Sequence, residues 1–292
     1  MCRDCWASIH RFTPPVCCSC GDPLPPDPPG AAARVLDALV SVLIAPDCAA
    51  CGRPLDEPGA GPVCRACWGS VRRFTPPVCG TCGDPVILGF EAAATARQSG
   101  APGIRCPGCR RAPPLAAAAR AVGPYEGRLR DIIHAFKYDR RRTLARPLAA
   151  LMREAGRDVL AGADAAVPVP LHWFRRRRRG FNQAALLASG LGLPVCHALR
   201  RSRRTRAQAG LHAGDRRANV ERAFGLAWRY RWPRLRPFAG RAPRRLEGLV
   251  VVLVDDVSTT GATRDACTRV LLNAGVREVR VLTLARVVSR PR

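Results

Sequence analysis

The sequence predicts an α/β protein, a parallel-sheet domain preceded by a small cysteine-rich module. Three observations carry this. Cysteines crowd the first third of the chain. Apolar runs of strand length alternate with helical stripes in the remainder. Two adjacent carboxylates, Asp255 and Asp256, close the most apolar run, "LVVVLVD" (Leu249–Asp255). At 292 residues, 47% of them hydrophobic, the chain has length for about two domains and apolar content for a sizeable core.

The first thirty residues form a partial repeat. "CRDCWASIHRFTPPVCCSCGDP" (Cys2–Pro23) matches "CRACWGSVRRFTPPVCGTCGDP" (Cys64–Pro85) at 16 of 22 positions. The linker-like "PPDPPGAAA" follows, and then "RVLDALVSVLIAP", a short helix. Residues 1–30 are read as a partial duplicate, 31–115 as the intact cysteine module and 116–292 as the α/β domain.

Twelve of the 15 cysteines fall into six C-x-x-C pairs. Repeated pairs on turns suit tetrahedral thiolate sites for zinc, and disulfides are rare in the cytosol. The intact module offers Cys48, Cys51, Cys64 and Cys67 for one ion, then Cys79, Cys82, Cys106 and Cys109 for another. The 12-residue spacer Gly52–Val63 has zinc-ribbon length. Pairing Cys64/Cys67 with Cys79/Cys82 is also geometrically open at this level. Cys2, Cys5, Cys17 and Cys20 could hold a third ion or belong to a remnant. Four thiolates leave no position for a catalytic water, so such zinc is structural. A module this small needs the staple to fold.

Beyond residue 115, "LRDIIHAFKY" carries Leu129, Ile132, Ile133 and Phe136 at helical spacing. "DAAVPVP" (Asp164–Pro170) reads as a short strand and "NQAALLASGLG" as a helix ending at glycine. "LVVVLVD" is apolar on both faces, as buried parallel strands are. "TRDACTRVLLNAG" is a helix presenting Ala266, Val270, Leu271 and Ala274 and stopping at Gly275, and "VRVLTLA" (Val279–Ala285) is another buried strand. Strand, helix, strand in that order makes a crossover in a parallel sheet.

Asp255 and Asp256 therefore sit at the carboxyl edge, where α/β sheets bind ligands. Ser258–Thr263 is read as the turn into the next helix. Its N–H groups, the hydroxyls of Thr259, Thr260 and Thr263, and Gly261 make an anion cradle. The carboxylates suit sugar hydroxyls and a magnesium ion. A ribose 5-phosphate bearing a metal-bound pyrophosphate satisfies both halves.

"VVLVDDVSTTGAT" (Val251–Thr263) resembles the phosphoribosyl pyrophosphate (PRPP) motif of type I phosphoribosyltransferases. The cysteine module, "FKY", "VPVPLHWFRRRRRGFNQAALLA", "RTRAQAGLHAGDRRANVERAF" and this motif follow one another in the order of the ComF (competence protein F) family. The resemblance spans about residues 33–287. The N-terminal repeat and the insert "WRYRWPRLRPFAGRAPRR" (Trp228–Arg245) depart from the pattern.

The resemblance implies a Rossmann-like type I phosphoribosyltransferase domain behind a double zinc ribbon, and a role in natural transformation and single-stranded DNA handling with other uptake proteins. It implies that Asp255 and Asp256 act on the ribose, directly or through Mg²⁺, and are the catalytic candidates. PRPP would be held from Asp255 through Val257, Ser258, Thr259, Thr260, Gly261 and Ala262 to Thr263. The loop at Pro168, Val169 and Pro170 would lie near pyrophosphate. Arg204 and Gln208 fall in the flexible loop, Arg200–Asn219. Displacement of pyrophosphate at ribose C1 is the implied chemistry, with an unidentified nitrogen acceptor; whether turnover occurs stays open, as does an adaptor role using the fold as a scaffold. Nothing in the sequence reads as a base-recognition pocket.

The formal net charge is +26, and Lys137 is the only lysine among 48 basic residues. The arginine preference reads as genomic base composition, while the excess over 22 acids favours anionic partners. Arg175, Arg176, Arg177 and Arg178 begin an arginine run, and the Trp228–Arg245 insert interleaves aromatics such as Trp228 and Trp232 with seven arginines and no acid. Arginine contacts phosphate and aromatics stack on bases, which suits single-stranded nucleic acid. No apolar run reaches the ~20 residues of a membrane helix, and the N-terminus lacks a secretory apolar stretch, so a cytoplasmic location is expected.

Overall fold

The computed structural model describes residues 46–86, 104–138, 141–171, 177, 180–201, 223–231, 243 and 245–288. The helix expected at "RVLDALVSVLIAP", the N-terminal repeat, Arg204, Gln208, Trp232 and most of the arginine run lie outside these residues.

The centre is a four-stranded parallel sheet of β1 (Ala118–Pro124), β2 (Ala165–Pro168), β5 (Val250–Ser258) and β6 (Glu278–Arg286), in the order β1-β6-β5-β2. Strands β3 (Leu199–Arg201) and β4 (Phe224–Leu226) form a separate antiparallel pair. Both faces of the sheet are covered, and side-chain alternation shows how. Val252 and Val254 of β5 join Leu282 and Leu284 of β6 in one apolar cluster. Their neighbours Val251, Leu253, Val279 and Val281 point into another. This is why "LVVVLVD" has no polar face.

Four helices of the sheet domain contribute to the first cluster. Leu129, Ile132, Ile133 and Phe136 of α3 (Gly127–Tyr138) are all fully buried, as their spacing predicts. Leu148 and Met152 of α4 (Ala145–Ala155), Val159 of α5 (Arg157–Leu160) and Leu187 of α6 (Gln183–Ser189) join them. The Asn182 side chain caps α6, accepting from the Ala184 N–H at 3.1 Å. On the opposite face, α8 (Ala262–Leu272) buries Ala266, Cys267 and Leu271. The expected stripe is thus rotated: Cys267 is buried, while Val270 and Ala274 are only partly so.

The cysteine-rich part does not stand apart. Two short helices, α1 (Arg65–Gly69) and α2 (Pro107–Arg111), follow Cys64 and Cys106. Cys48, Leu55, Val63, Cys67 and Val71 share the first core with Val122 and Leu129. The Phe74 N–H donates to the Val122 carbonyl and the Ala119 N–H to that of Thr81. Gly123 has a specific reason to be glycine: a Cβ there would lie 2.0 Å from the Arg72 carbonyl oxygen. Strand β1, with three alanines, a glycine and a terminal proline, lacks a β-branched or aromatic signal apart from Val122. It is a strand because β6 on one side and the cysteine module over it complete its surroundings.

Candidate functional site

The helix after β2, α6, packs on one face of the sheet, and the helix after neighbouring β5, α8, packs on the other. Chain direction therefore diverges between β2 and β5, and a crevice opens beyond their carboxyl ends. The loop after β2 and the turn after β5 meet there. The Val169 N–H donates to the Val254 carbonyl at 2.9 Å, and the Val169 carbonyl accepts from Asn182 Nδ2 at 3.1 Å. A small cavity of about 30 Å³ lies between Val169, Asp255, Ser258, Thr259, Gly261 and Arg264, among others.

The strand is longer than expected. It runs through both aspartates to Ser258, so the turn is shortened to Thr259, Thr260 and Gly261 before α8 begins at Ala262. Pairing explains this: β6 accompanies β5 as far as Ser258 opposite Arg286. Gly261 precedes the helix at φ +78°, a left-handed conformation that favours glycine. A Cβ there would also lie 2.7 Å from the Arg264 guanidinium. Thr259 and Thr260 are exposed, and Thr263 is partly exposed in the first turn of the helix.

The two carboxylates have unlike partners. Asp255 Oδ1 accepts the Asp256 N–H at 2.8 Å. Asp256 Oδ1 lies 2.9 Å from Lys137 Nζ, at the end of α3. Enclosure pushes the Asp255 carboxyl up, to about 7, and the Asp256 charge adds to the push. Lys137 had no place in the sequence-derived site. Two signals were available: its place in the "FKY" segment of the family pattern, and its status as the only lysine in an arginine-rich chain.

The shifted Asp255 carries a pH prediction. Its ordinary value is 3.8, so between that and about 7 the folded state holds a proton that the unfolded chain has lost. Its contribution to stability must then fall as pH rises through that window. Asp255→Asn removes the slope. In thermal melts the Tm difference should move in the variant's favour from about pH 5 to 7 and level off above it. A difference independent of pH would refute the reading.

The cysteines resolve into two clusters, Cys48/Cys51/Cys64/Cys67 and Cys79/Cys82/Cys106/Cys109, with the sulfurs of each within 4.8 Å of one another. This excludes the alternative pairing of Cys64/Cys67 with Cys79/Cys82. The Cys48–Cys67 and Cys51–Cys64 sulfurs are 3.9 Å apart, and Cys82–Cys106 3.6 Å. Zn–S bonds of roughly 2.3 Å at tetrahedral angles need about 3.8 Å. Backbone N–H groups of Cys64 and Cys106 point at the sulfurs of Cys48 and Cys79, each at 3.3 Å, as thiolates require. The Arg53 backbone N–H and side chain hold the Cys51 thiol down, to about 6. None of the eight is in a disulfide. The donor sets fit two structural zinc ions.

Of the residues expected to meet nucleic acid, Arg177 is exposed, and Trp228 is 58% exposed at the start of α7 (Trp228–Arg231). No helix among the described residues is long and apolar enough to cross a membrane.

Comparison with known proteins adds an independent line. Residues 177–292 match the phosphoribosyl transferase domain family and residues 39–110 the double zinc ribbon domain. The chain is 38% identical to competence protein F of Haemophilus influenzae, over 56% of this chain and 71% of that protein. It is 33% identical to DNA utilization protein YhgH of Salmonella typhi, over 64% of this chain and 80% of that protein. Competence protein ComFC of Bacillus subtilis is 32% identical over 37% of this chain and 38% of its own length.

Proposed function

Because this chain belongs to the competence protein F family, we propose that it binds PRPP at the β2–β5 edge and serves the uptake and handling of single-stranded DNA in the cytoplasm. The observation that carries the reading is the convergence at one crevice of Asp255, a glycine turn on a helix N-terminus and the Val169 loop, with Asp256 the next residue on the same strand end. A ribose carrying both phosphate and pyrophosphate matches those three chemistries together. Asp255 and Asp256 hold the ribose hydroxyls, and the turn and the N-terminus of α8 hold the 5-phosphate. Pro168, Val169 and Pro170 border the pyrophosphate; Arg204 and Gln208, which lie outside the described residues, are assigned to it by the family resemblance alone. The oxygens of the pair are hard donors that suit Mg²⁺. When bound, Mg²⁺ supplies neutralisation of pyrophosphate charge. The site's own groups position the sugar by hydrogen bonds already held in place.

Isothermal titration of the full chain with PRPP and Mg²⁺ tests this. Saturable binding that ribose 5-phosphate alone reproduces more weakly is expected, and no heat with PRPP would overturn it. Pyrophosphate release in the same mixture would separate an active transferase from a PRPP sensor.

The exposed Trp228 favours the DNA part of the proposal. Stacking on a base contributes about 1–3 kcal/mol and is far less salt-sensitive than phosphate contacts. Trp228→Ala should weaken single-strand binding in fluorescence anisotropy while leaving its salt slope nearly unchanged. Equal affinity of the wild type for single strands and duplex would leave only a general electrostatic surface.

A further inference from the structure

Lys137 is the only lysine among 48 basic side chains; the other 47 are arginine. A chain that uses guanidinium at all its other Lys/Arg positions has an ammonium at one place, against Asp256 at the carboxyl end of β5, next to the Asp255 that lines the crevice. Lys137 lies in the last turn of α3, whose apolar stripe Leu129–Ile132–Ile133–Phe136 is fully buried, so the side chain projects from a rigid element. Its side chain is 12% exposed and that of Asp256 15%, and the two are 2.9 Å apart. The Tyr125 ring lies 6.0 Å from Nζ.

The arrangement has a consequence for the ligand. PRPP carries a phosphate and a pyrophosphate, and two bare carboxylates on adjacent residues would repel it. An ammonium against Asp256 cancels one of those charges without occupying Asp255, and it fixes the carboxylate of a side chain that would otherwise choose among rotamers. A compact ammonium does this with one donor, whereas the longer, planar guanidinium needs a wider set of oxygens to satisfy its fork. We propose, resting on the PRPP reading above, that Lys137 is a positioning residue of this site: it holds and neutralises Asp256 so that a polyanionic sugar phosphate is received on the aspartate pair.

The experiment is titration of PRPP with Mg²⁺ into the full-length wild type, Lys137→Met, Lys137→Arg, Asp256→Asn and the Lys137→Met/Asp256→Asn double variant, with Tm measured for each. Lys137→Met is expected to lose at least tenfold in PRPP affinity, and Lys137→Arg to stay within about threefold of it. The double variant should bind no more weakly than the poorer single variant, because the two residues act as one unit. A purely structural brace between α3 and β5 predicts otherwise: a lower Tm for Lys137→Met with unchanged PRPP affinity, and that result overturns the proposal. So does recovery of wild-type affinity by Lys137→Arg, or losses that add in the double variant. Should Lys137→Met fail to fold, Lys137→Gln takes its place in the same comparison. Absence of PRPP binding by the wild type would overturn the functional reading itself, and this inference with it.

Discussion

Metal analysis of the purified chain should find two zinc ions per molecule, and deletion of residues 1–30 should leave that number unchanged. The expectation rests on two closed thiolate clusters with tetrahedral sulfur spacing. Structural zinc in such sites binds with an apparent ~10–16 kcal/mol at neutral pH, most of it expressed as folding free energy. The two sites should differ in what their loss costs. Cys48 and Cys67 of the first cluster are buried in the same core as Val122, Leu129 and Phe136. Cys79, Cys82 and Cys109 of the second form a small core of their own, tied to the sheet by polar contacts: Arg286 meets Asp84 at 3.0 Å and the Cys82 carbonyl at 2.7 Å, and the Ala119 N–H and Arg120 of β1 donate to the Thr81 and Gly80 carbonyls. Cys67→Ser should therefore remove one zinc and lower the Tm of the whole chain. Cys109→Ser should remove one zinc with a smaller effect on the main transition. Fewer than one zinc per chain in the truncated protein would sink the assignment, and equal Tm losses would sink the distinction between clusters.

Replacing both Asp255 and Asp256 with asparagine keeps their size and removes their charge. If the pair receives the ribose, PRPP affinity should fall at least tenfold, about 1.4 kcal/mol. The variant also leaves Lys137 without its carboxylate partner, so a buried ammonium is newly uncompensated and the loss should exceed that of Asp255→Asn alone. Thr260→Val, at an exposed turn position, should weaken binding more modestly by removing one hydroxyl donor. Unchanged PRPP affinity in the double aspartate variant would refute the site.

Local patterns in the sequence were enough for much of this. Leu129, Ile132, Ile133 and Phe136 recur at helical spacing and are buried together. The run from Leu249 is apolar at every position because both faces of its strand are covered. Each C-x-x-C pair is a local device, so the eight ligands were visible one pair at a time. The carboxylates and the glycine turn were visible because strand, turn and helix N-terminus are contiguous in the chain.

What local pattern could not supply was everything that depends on a distant partner. The sequence determined which residues could be ligands; the fold decided which four sulfurs meet, separating Cys64/Cys67 from Cys79/Cys82. It made a strand of Ala118–Pro124, whose own side chains are too small to ask for one, by setting it between β6 and the cysteine module. It carried β5 three residues past Asp255, because β6 pairs with it to Ser258. It also brought Lys137, more than a hundred residues earlier in the chain, to Asp256. Side-chain period and turn chemistry are properties of a few consecutive residues, whereas pairing, burial and charge compensation arise only when the chain has closed on itself.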